Sequence, residues 1–157
     1  MSVRSVLFVC TGNICRSPTA AGVLRRLVRE AGIEAQVRID CAGTHDYHVG
    51  HAPDPRAQHH AARRGYDLSE LRARQVREAD FDEFDLILAM DRGHLKLLRA
   101  QCPAAQLGKL RLFMEFAEGT RAKDVPDPYY GGSEAFEQAL DLVEAGARGL
   151  LRELKLP

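Results

Sequence analysis

The stretch Val6-Leu7-Phe8-Val9-Cys10-Thr11-Gly12-Asn13-Ile14-Cys15-Arg16-Ser17-Pro18 decides the fold. An apolar run ends on Cys10, a loop follows, and Arg16, Ser17 and Pro18 open a helical pattern. The order is strand, tight turn, helix, with a thiol at one lip of the turn and a guanidinium at the other. A helix N-terminus presents unpaired N–H groups and a partial positive charge, so the turn is an anion site before any side chain is counted. The field that attracts an anion also stabilises a thiolate. The stretch therefore fits a tetrahedral oxyanion held against a nucleophilic sulfur.

Each residue of the turn has a physical reason to be there. Gly12 takes positive φ freely and Asn13 tolerates the left-handed region, so successive N–H groups can curl inward as a nest. Arg16 offers a planar fork that grips two oxygens at once. Ser17 is expected to hydrogen-bond the Cys10 sulfur across the loop. Pro18 belongs in the first helical turn, where its missing N–H is no loss. Ala20, Val23, Leu24, Leu27, Val28 and Ala31 then share one helical face, and Gly32 reads as the stop. The competing reading makes Cys10 a buried strand-end residue and Arg16 a surface charge.

Working outward, strands are expected at 5–10, 37–41, 86–90 and 110–113. Helices are expected at 18–31, 53–64 and 92–100, with a short one at 78–81. A last helix carries Phe136, Leu140, Val143, Ala147, Leu150 and Leu154, with Ser133 as its N-cap. Alternating strands and helices predict a doubly wound α/β sheet of four parallel strands with helices on both faces, and ligands at the strands' carboxyl ends. Cys10 and the pair Met90-Asp91 fall at such ends. The segment 126–132, rich in proline and glycine, reads as a site loop.

The chain of 157 residues is expected to form a single domain, residues 1–157, burying about two-thirds of its unfolded surface. Lys and Arg number 22 and Asp and Glu 22, so no general pull toward nucleic acid or membrane is implied. No apolar run approaches a membrane span and the start lacks a signal-peptide pattern. The four cysteines have no scaffold-like spacing, which suggests a reducing compartment, and a cytoplasmic location is expected.

The segment Cys10-Thr11-Gly12-Asn13-Ile14-Cys15-Arg16-Ser17-Pro18 resembles the phosphate loop of the low-molecular-weight protein tyrosine phosphatases. Further landmarks follow in the family order. They are Ala42-Gly43-Thr44, Tyr47-His48-Val49-Gly50, Pro53-Asp54-Pro55-Arg56-Ala57, Ala73-Arg74-Gln75, Met90-Asp91 and Asp127-Pro128-Tyr129-Tyr130-Gly131-Gly132. The resemblance implies a flavodoxin-like, Rossmann-like sheet of strand order 2-1-3-4. It implies a phosphotyrosine hydrolase without cofactor or metal, in which Cys10 becomes a phosphocysteine and Arg16 and the loop Thr11–Ser17 stabilise the phosphoryl oxygens. The family's general acid falls on Asp127, which Pro126 and Pro128 present in extended form. Tyr129 and Tyr130 would flank the substrate ring, with Tyr47 opposite. The implied partner is a phosphotyrosine-containing protein, a bacterial tyrosine kinase among the candidates, and the implied state is a monomer or weak homodimer. In the family the tyrosine pair can itself be phosphorylated.

Two departures stand out. Where some members carry a loop-supporting histidine, this chain has Leu71, so Asn13 must be supported by another group, Asp91 or Ser17. Related protein-arginine phosphatases carry threonine at the position of Ile14, whose bulk favours an aryl guest. The arsenate reductases of this fold need a redox cysteine pair downstream, and Cys41 and Cys102 lack that spacing. Cys15 is open to two readings, a reversible disulfide with Cys10 or a small packing residue. His45, His48 and His51 have a metal-like spacing but no accompanying ligand set. A non-catalytic phosphopeptide-binding module would be expected to lack Cys10 or Asp127.

Overall fold

A computed structural model describes residues 3–155; residues 1, 2, 156 and 157 lie outside the described set. The element order is β1 (Ser5–Cys10), α1 (Arg16–Glu30), β2 (Arg38–Gly43), α2 (Pro55–Arg63), α3 (Glu78–Glu83), β3 (Leu86–Ala89), α4 (Arg92–Gln101), β4 (Leu110–Leu112) and α5 (Ser133–Leu154). Short 3₁₀ turns join several of these. The sheet is parallel, in the order β2-β1-β3-β4, as the resemblance implied.

Side-chain alternation along β1 divides the core. Val6, Phe8 and Cys10 face α1 and α5, while Leu7 and Val9 face α3 and α4. Both faces of β1 are buried, so its sequence is a continuous apolar run. The edge of Phe8 meets the Phe113 ring, with centroids 5.3 Å apart. Burial of each such side chain contributes about 1.5–3 kcal/mol. The chain runs from β1 outward to β2, then crosses back to β3 on the other side of β1. The crevice at this reversal lies above the ends of β1 and β3, where ligands bind in open α/β sheets.

The boundaries moved where local hydrogen bonds outweigh apolar pattern. The first helix begins at Arg16, not residue 18, because the Thr19 N–H reaches back to the Cys15 carbonyl. Gly32, at φ +75°, ends it. The N–H groups of Ile33 and Gly32 bond the carbonyls of Val28 and Arg29, the paired closure that a left-handed residue permits. The second strand runs on to Gly43, which pairs with Cys10. A side chain at Gly43 would sit 2.7 Å from the Thr11 carbonyl oxygen. The second helix starts at Pro55 instead of residue 53, since Asp54 is its cap and accepts the Arg56 N–H. The 78–81 turn extends to Glu83, and the 92–100 helix ends at Gln101. The fourth strand stops at Leu112, where Phe113 begins a 3₁₀ turn. Ser133 does not cap α5: Gly132 takes that place, and the Ser133 hydroxyl lies 3.3 Å from His60 Nε2.

Candidate active site

The loop after β1 is held from outside by its carbonyls. Those of Cys10 and Thr11 accept the N–H groups of Thr44 and His45, and that of Ile14 accepts the N–H of Asp54. Cys15 accepts both the Thr19 N–H and its hydroxyl, the latter at 2.6 Å. An N–H points opposite the C=O of its own peptide. The N–H groups of Thr11, Gly12, Cys15 and Arg16 are therefore turned to the concave side, the arrangement that binds anions. Asn13 supplies the left-handed bend, at φ +58°. Gly12, contrary to expectation, does not have positive φ. A side chain there would lie 2.8 Å from His48 Cδ2, so the histidine ring would have to move to admit one.

Three side chains inside the loop form a wired set. Cys10 Sγ lies 3.0 Å from Ser17 Oγ, and the Asn13 amide donates to the same hydroxyl at 2.8 Å. The Arg74 N–H donates to Asn13 Oδ1 at 3.0 Å. Support for Asn13 thus comes from Ser17 and the backbone of Arg74, while Leu71 packs in the core. Arg74 is itself fixed by Asp80, which is fully buried, and by Asp40. Cys15 packs with Ala57, Phe136 and Ile14. Burial, reinforced by Asp54, pushes its thiol well above the ordinary range. Burial likewise pushes the Cys41 thiol up to about 12.

Arg16 is only 5% exposed, which removes the surface-charge reading. Its Nη1 donates to Asp91 Oδ2 at 2.7 Å and to the Val125 carbonyl at 2.9 Å. Asp91 therefore holds Arg16 and not Asn13, and its other oxygen caps α4 through the His94 N–H. Arg16 Nη2 faces His94 Nε2 at 3.4 Å and Asp127 Oδ2 at 3.7 Å. His94 was missed in the sequence, where attention falls on the histidines between 45 and 60. Its signal is position, three residues after an N-cap aspartate at a strand's carboxyl end. Burial first, then the Arg16 charge, lowers its pKa to about 4, with Asp91 and Asp127 opposing and His45 adding slightly.

Cys10, Thr11, Gly12, Ile14, Cys15, Arg16, Tyr47, His48, Asp127, Tyr129 and Tyr130 line one cleft of about 440 Å³. The expected nucleophile, loop, acid and aromatic walls are thus brought together. Asp127 Oδ1 accepts the Tyr129 N–H at 3.0 Å. Its side chain is 45% exposed and opens on the cleft. Tyr129 and Tyr130 meet edge to face at 4.9 Å, and Tyr130 is almost wholly exposed. Tyr47 stacks on His45, while His48 and His51 lie 5.9 Å apart. Among the described residues no three His, Cys, Asp or Glu side chains converge as metal ligands would.

A buried arginine and a strand-end thiol around a nest of N–H groups give the geometry of a cysteine-containing loop suited to an anion. The sequence pattern of the low molecular weight phosphotyrosine protein phosphatase family matches residues 5–156. A low molecular weight protein-tyrosine-phosphatase of Streptomyces coelicolor is 44% identical over 153 residues, covering 96% of this chain and 93% of that protein. The crystal structure of a protein tyrosine phosphatase from Entamoeba histolytica, with Hepes in its active site, superposes with a TM-score of 0.94. Its identity is 35%, over 97% of each chain. Vibrio vulnificus Wzb, solved in complex with benzylphosphonate, superposes at 0.84 with 31% identity, over 98% of this chain and 100% of that one. The chain belongs to the low molecular weight phosphotyrosine protein phosphatase family, a family of hydrolases.

Proposed function

We propose that this chain hydrolyses phosphotyrosine and small aryl phosphates without a metal, through a phosphocysteine on Cys10. The observation that carries the reading is the convergence of Cys10, Arg16 and Asp127 on one aromatic-walled cleft. In the first step the Cys10 thiolate attacks phosphorus in line with the aryl oxygen. The S–P bond forms as the O–P bond breaks, and Asp127 delivers its proton to the leaving oxygen. In the second step the Asp127 carboxylate takes a proton from water, whose oxygen attacks phosphorus. The S–P bond breaks, releasing phosphate and restoring the thiolate. The loop N–H groups and Arg16 carry the charge of the three equatorial oxygens throughout. Ser17, bonded to Sγ, steadies the sulfur as it leaves.

Tyr129 and Tyr130 flank the ring and Tyr47 closes the opposite side, contacts worth about 0.5–1.5 kcal/mol beyond burial. Ile14 lines the same cleft and supports an aryl guest over a guanidinium. The substrate class is a phosphotyrosine-bearing protein, a bacterial tyrosine kinase being one candidate. Four free thiols support a cytoplasmic setting for a single-domain enzyme, monomeric or weakly self-associating. Among the described residues no helix is long and apolar enough to cross a membrane.

Acid quench of Asp127→Ala with a good-leaving-group aryl phosphate tests the covalent step. The expected result is a single phosphoryl mass on the peptide containing Cys10. A phosphoryl group on another residue, or burst-phase product with none on protein, would overturn the mechanism.

A further inference from the structure

We infer that His94 is a positioning residue, a neutral imidazole carrying its proton on Nδ1, whose Nε2 lone pair orients both Arg16 and the Thr11 hydroxyl. The inference rests on the anion-site reading above and extends it to a residue outside the loop.

The hydrogen count of Arg16 carries the argument. A guanidinium has five N–H hydrogens and no acceptor. Asp91 Oδ2 and the Val125 carbonyl occupy the two on Nη1. His94 Nε2, 3.4 Å from Nη2, takes a third. What remains is the Nε hydrogen and one on Nη2, a single fork that matches two oxygens of a phosphoryl group. Without His94, Nη2 would have two free hydrogens and the guanidinium plane would have one anchor fewer. His94 thus leaves one binding edge and fixes its direction.

The same contact points to one tautomer. Arginine only donates, so Nε2 must hold the lone pair, and in a neutral ring the proton is then on Nδ1. In that tautomer the Thr11 hydroxyl, 2.8 Å from Nε2, donates to the same lone pair and shares it with Arg16 Nη2. That directs the Thr11 oxygen lone pairs away from the imidazole and fixes the side chain at the cleft's edge. Nδ1 is the one buried side-chain polar atom without a hydrogen-bond partner among the described residues. Asp91 Oδ1 nevertheless stands 3.1 Å from it, at a poor angle. An N–H directed at that carboxylate is favourable, whereas a bare lone pair there would face negative charge. Burial and the neighbouring Arg16 charge outweigh Asp91 and Asp127 and keep the ring uncharged, which the role requires, because an imidazolium has no lone pair to offer.

The test compares His94→Leu, which fills space without an acceptor, with His94→Gln, whose amide oxygen reaches the Nε2 position. Steady-state hydrolysis of p-nitrophenyl phosphate and competitive inhibition by inorganic phosphate are measured for both. For His94→Leu the phosphate inhibition constant should rise about tenfold and kcat should fall by a similar factor, the scale of one misdirected charge-assisted bond. His94→Gln should recover both to within about threefold. Equal kinetics in wild type and His94→Leu, or a His94→Gln as impaired as His94→Leu, would overturn the role. A folding defect in His94→Leu leaves the wild-type imidazole ¹⁵N spectrum as a separate arbiter. It should show the Nδ1–H form from pH 6 to 8 (about neutral); an Nε2–H form would refute the assignment. A wild type that neither turns over nor binds phosphate would refute the anion site itself, a result distinct from the failure of the His94 role.

Discussion

The loop of residues 10–17 and the loop of residues 124–132 face each other across one cleft and are held in opposite ways. In the first, carbonyls are tied to two outside segments, at Thr44–His45 and at Asp54, Asn13 and Ser17 are bonded to each other, and Arg16 is buried. The second bears an exposed aspartate and an exposed tyrosine, and is anchored through the Val125 carbonyl on Arg16 and the Asp124 pair with Arg92. The difference fits the tasks proposed for them. Stabilising charge on phosphoryl oxygens needs dipoles fixed before the reaction, since reorganisation would subtract from their effect. Moving a proton to and from a departing group needs contact with solvent and room for an aryl ring.

The comparison is broken most severely at Asp127. Asp127→Ala should reduce hydrolysis of phosphotyrosine by about 10²–10⁴-fold, the usual contribution of a general acid. The loss should shrink with nitrophenyl phosphate, whose leaving group is already acidic. An equal loss for both substrates in a leaving-group series would deny Asp127 the proton.

A smaller effect should mark the buried wall. His94 has an ordinary pKa of 6.5 and about 4 in the folded protein. The unfolded chain therefore binds more protons between these values, and stability falls as pH is lowered through the window. The groups facing the ring are Arg16, Asp91, Asp127 and His45, and burial with Arg16 outweighs the two carboxylates. The full loss is about 3 kcal/mol at the acid end. Urea denaturation at neutral pH and at pH values near the lower limit should show this extra slope in wild type and not in His94→Gln. Identical slopes would mean the ring does not titrate as its surroundings imply.

The smallest effect belongs to the anchor of the exposed wall. Arg92 grips Asp124 through Nε and Nη2, and the Arg92 N–H donates to the same carboxylate. Asp124→Asn retains an acceptor for that N–H and loses only a solvent-exposed ion pair, worth about 0–1 kcal/mol. Activity should change by about fivefold at most, since that energy is under one decade of rate. A loss as large as that of Asp127→Ala would show the two walls to be equally dependent on fixed geometry.

The same contrast explains what was legible in the sequence. The buried wall is encoded locally: a strand, an Asn for the left-handed bend, and Arg-Ser-Pro to open a helix are all contiguous. Cys10, Asn13, Arg16 and Ser17 could therefore be assigned together with their expected contacts. The prolines, glycines and aromatic pair of 126–132 mark an exposed loop, but the roles expected of Asp127 and the tyrosines came from the family resemblance and not from that pattern. What could not be read is whatever depends on the crossover between strands. Asp91 and His94 reach Arg16 only because β3 lies beside β1, and the Arg74 N–H reaches Asn13 from a segment bridged to the end of β2. Gly43 looked like a residue after its strand, yet its missing side chain lets the Thr11 carbonyl approach. Ser133 has the chemistry of a cap, but His60 on α2 competes for its hydroxyl.

The central claim is that a thiol, an arginine and a nest of N–H groups, with Asp127 to move the proton, perform phosphoryl transfer without a metal. Its most direct test is hydrolysis of p-nitrophenyl phosphate by reduced protein with a chelator present, beside Cys10→Ser. Turnover is expected from the wild type and none detectable from Cys10→Ser, with phosphate binding retained by both. Turnover by Cys10→Ser near the wild-type rate, or abolition of wild-type turnover by the chelator, would contradict it.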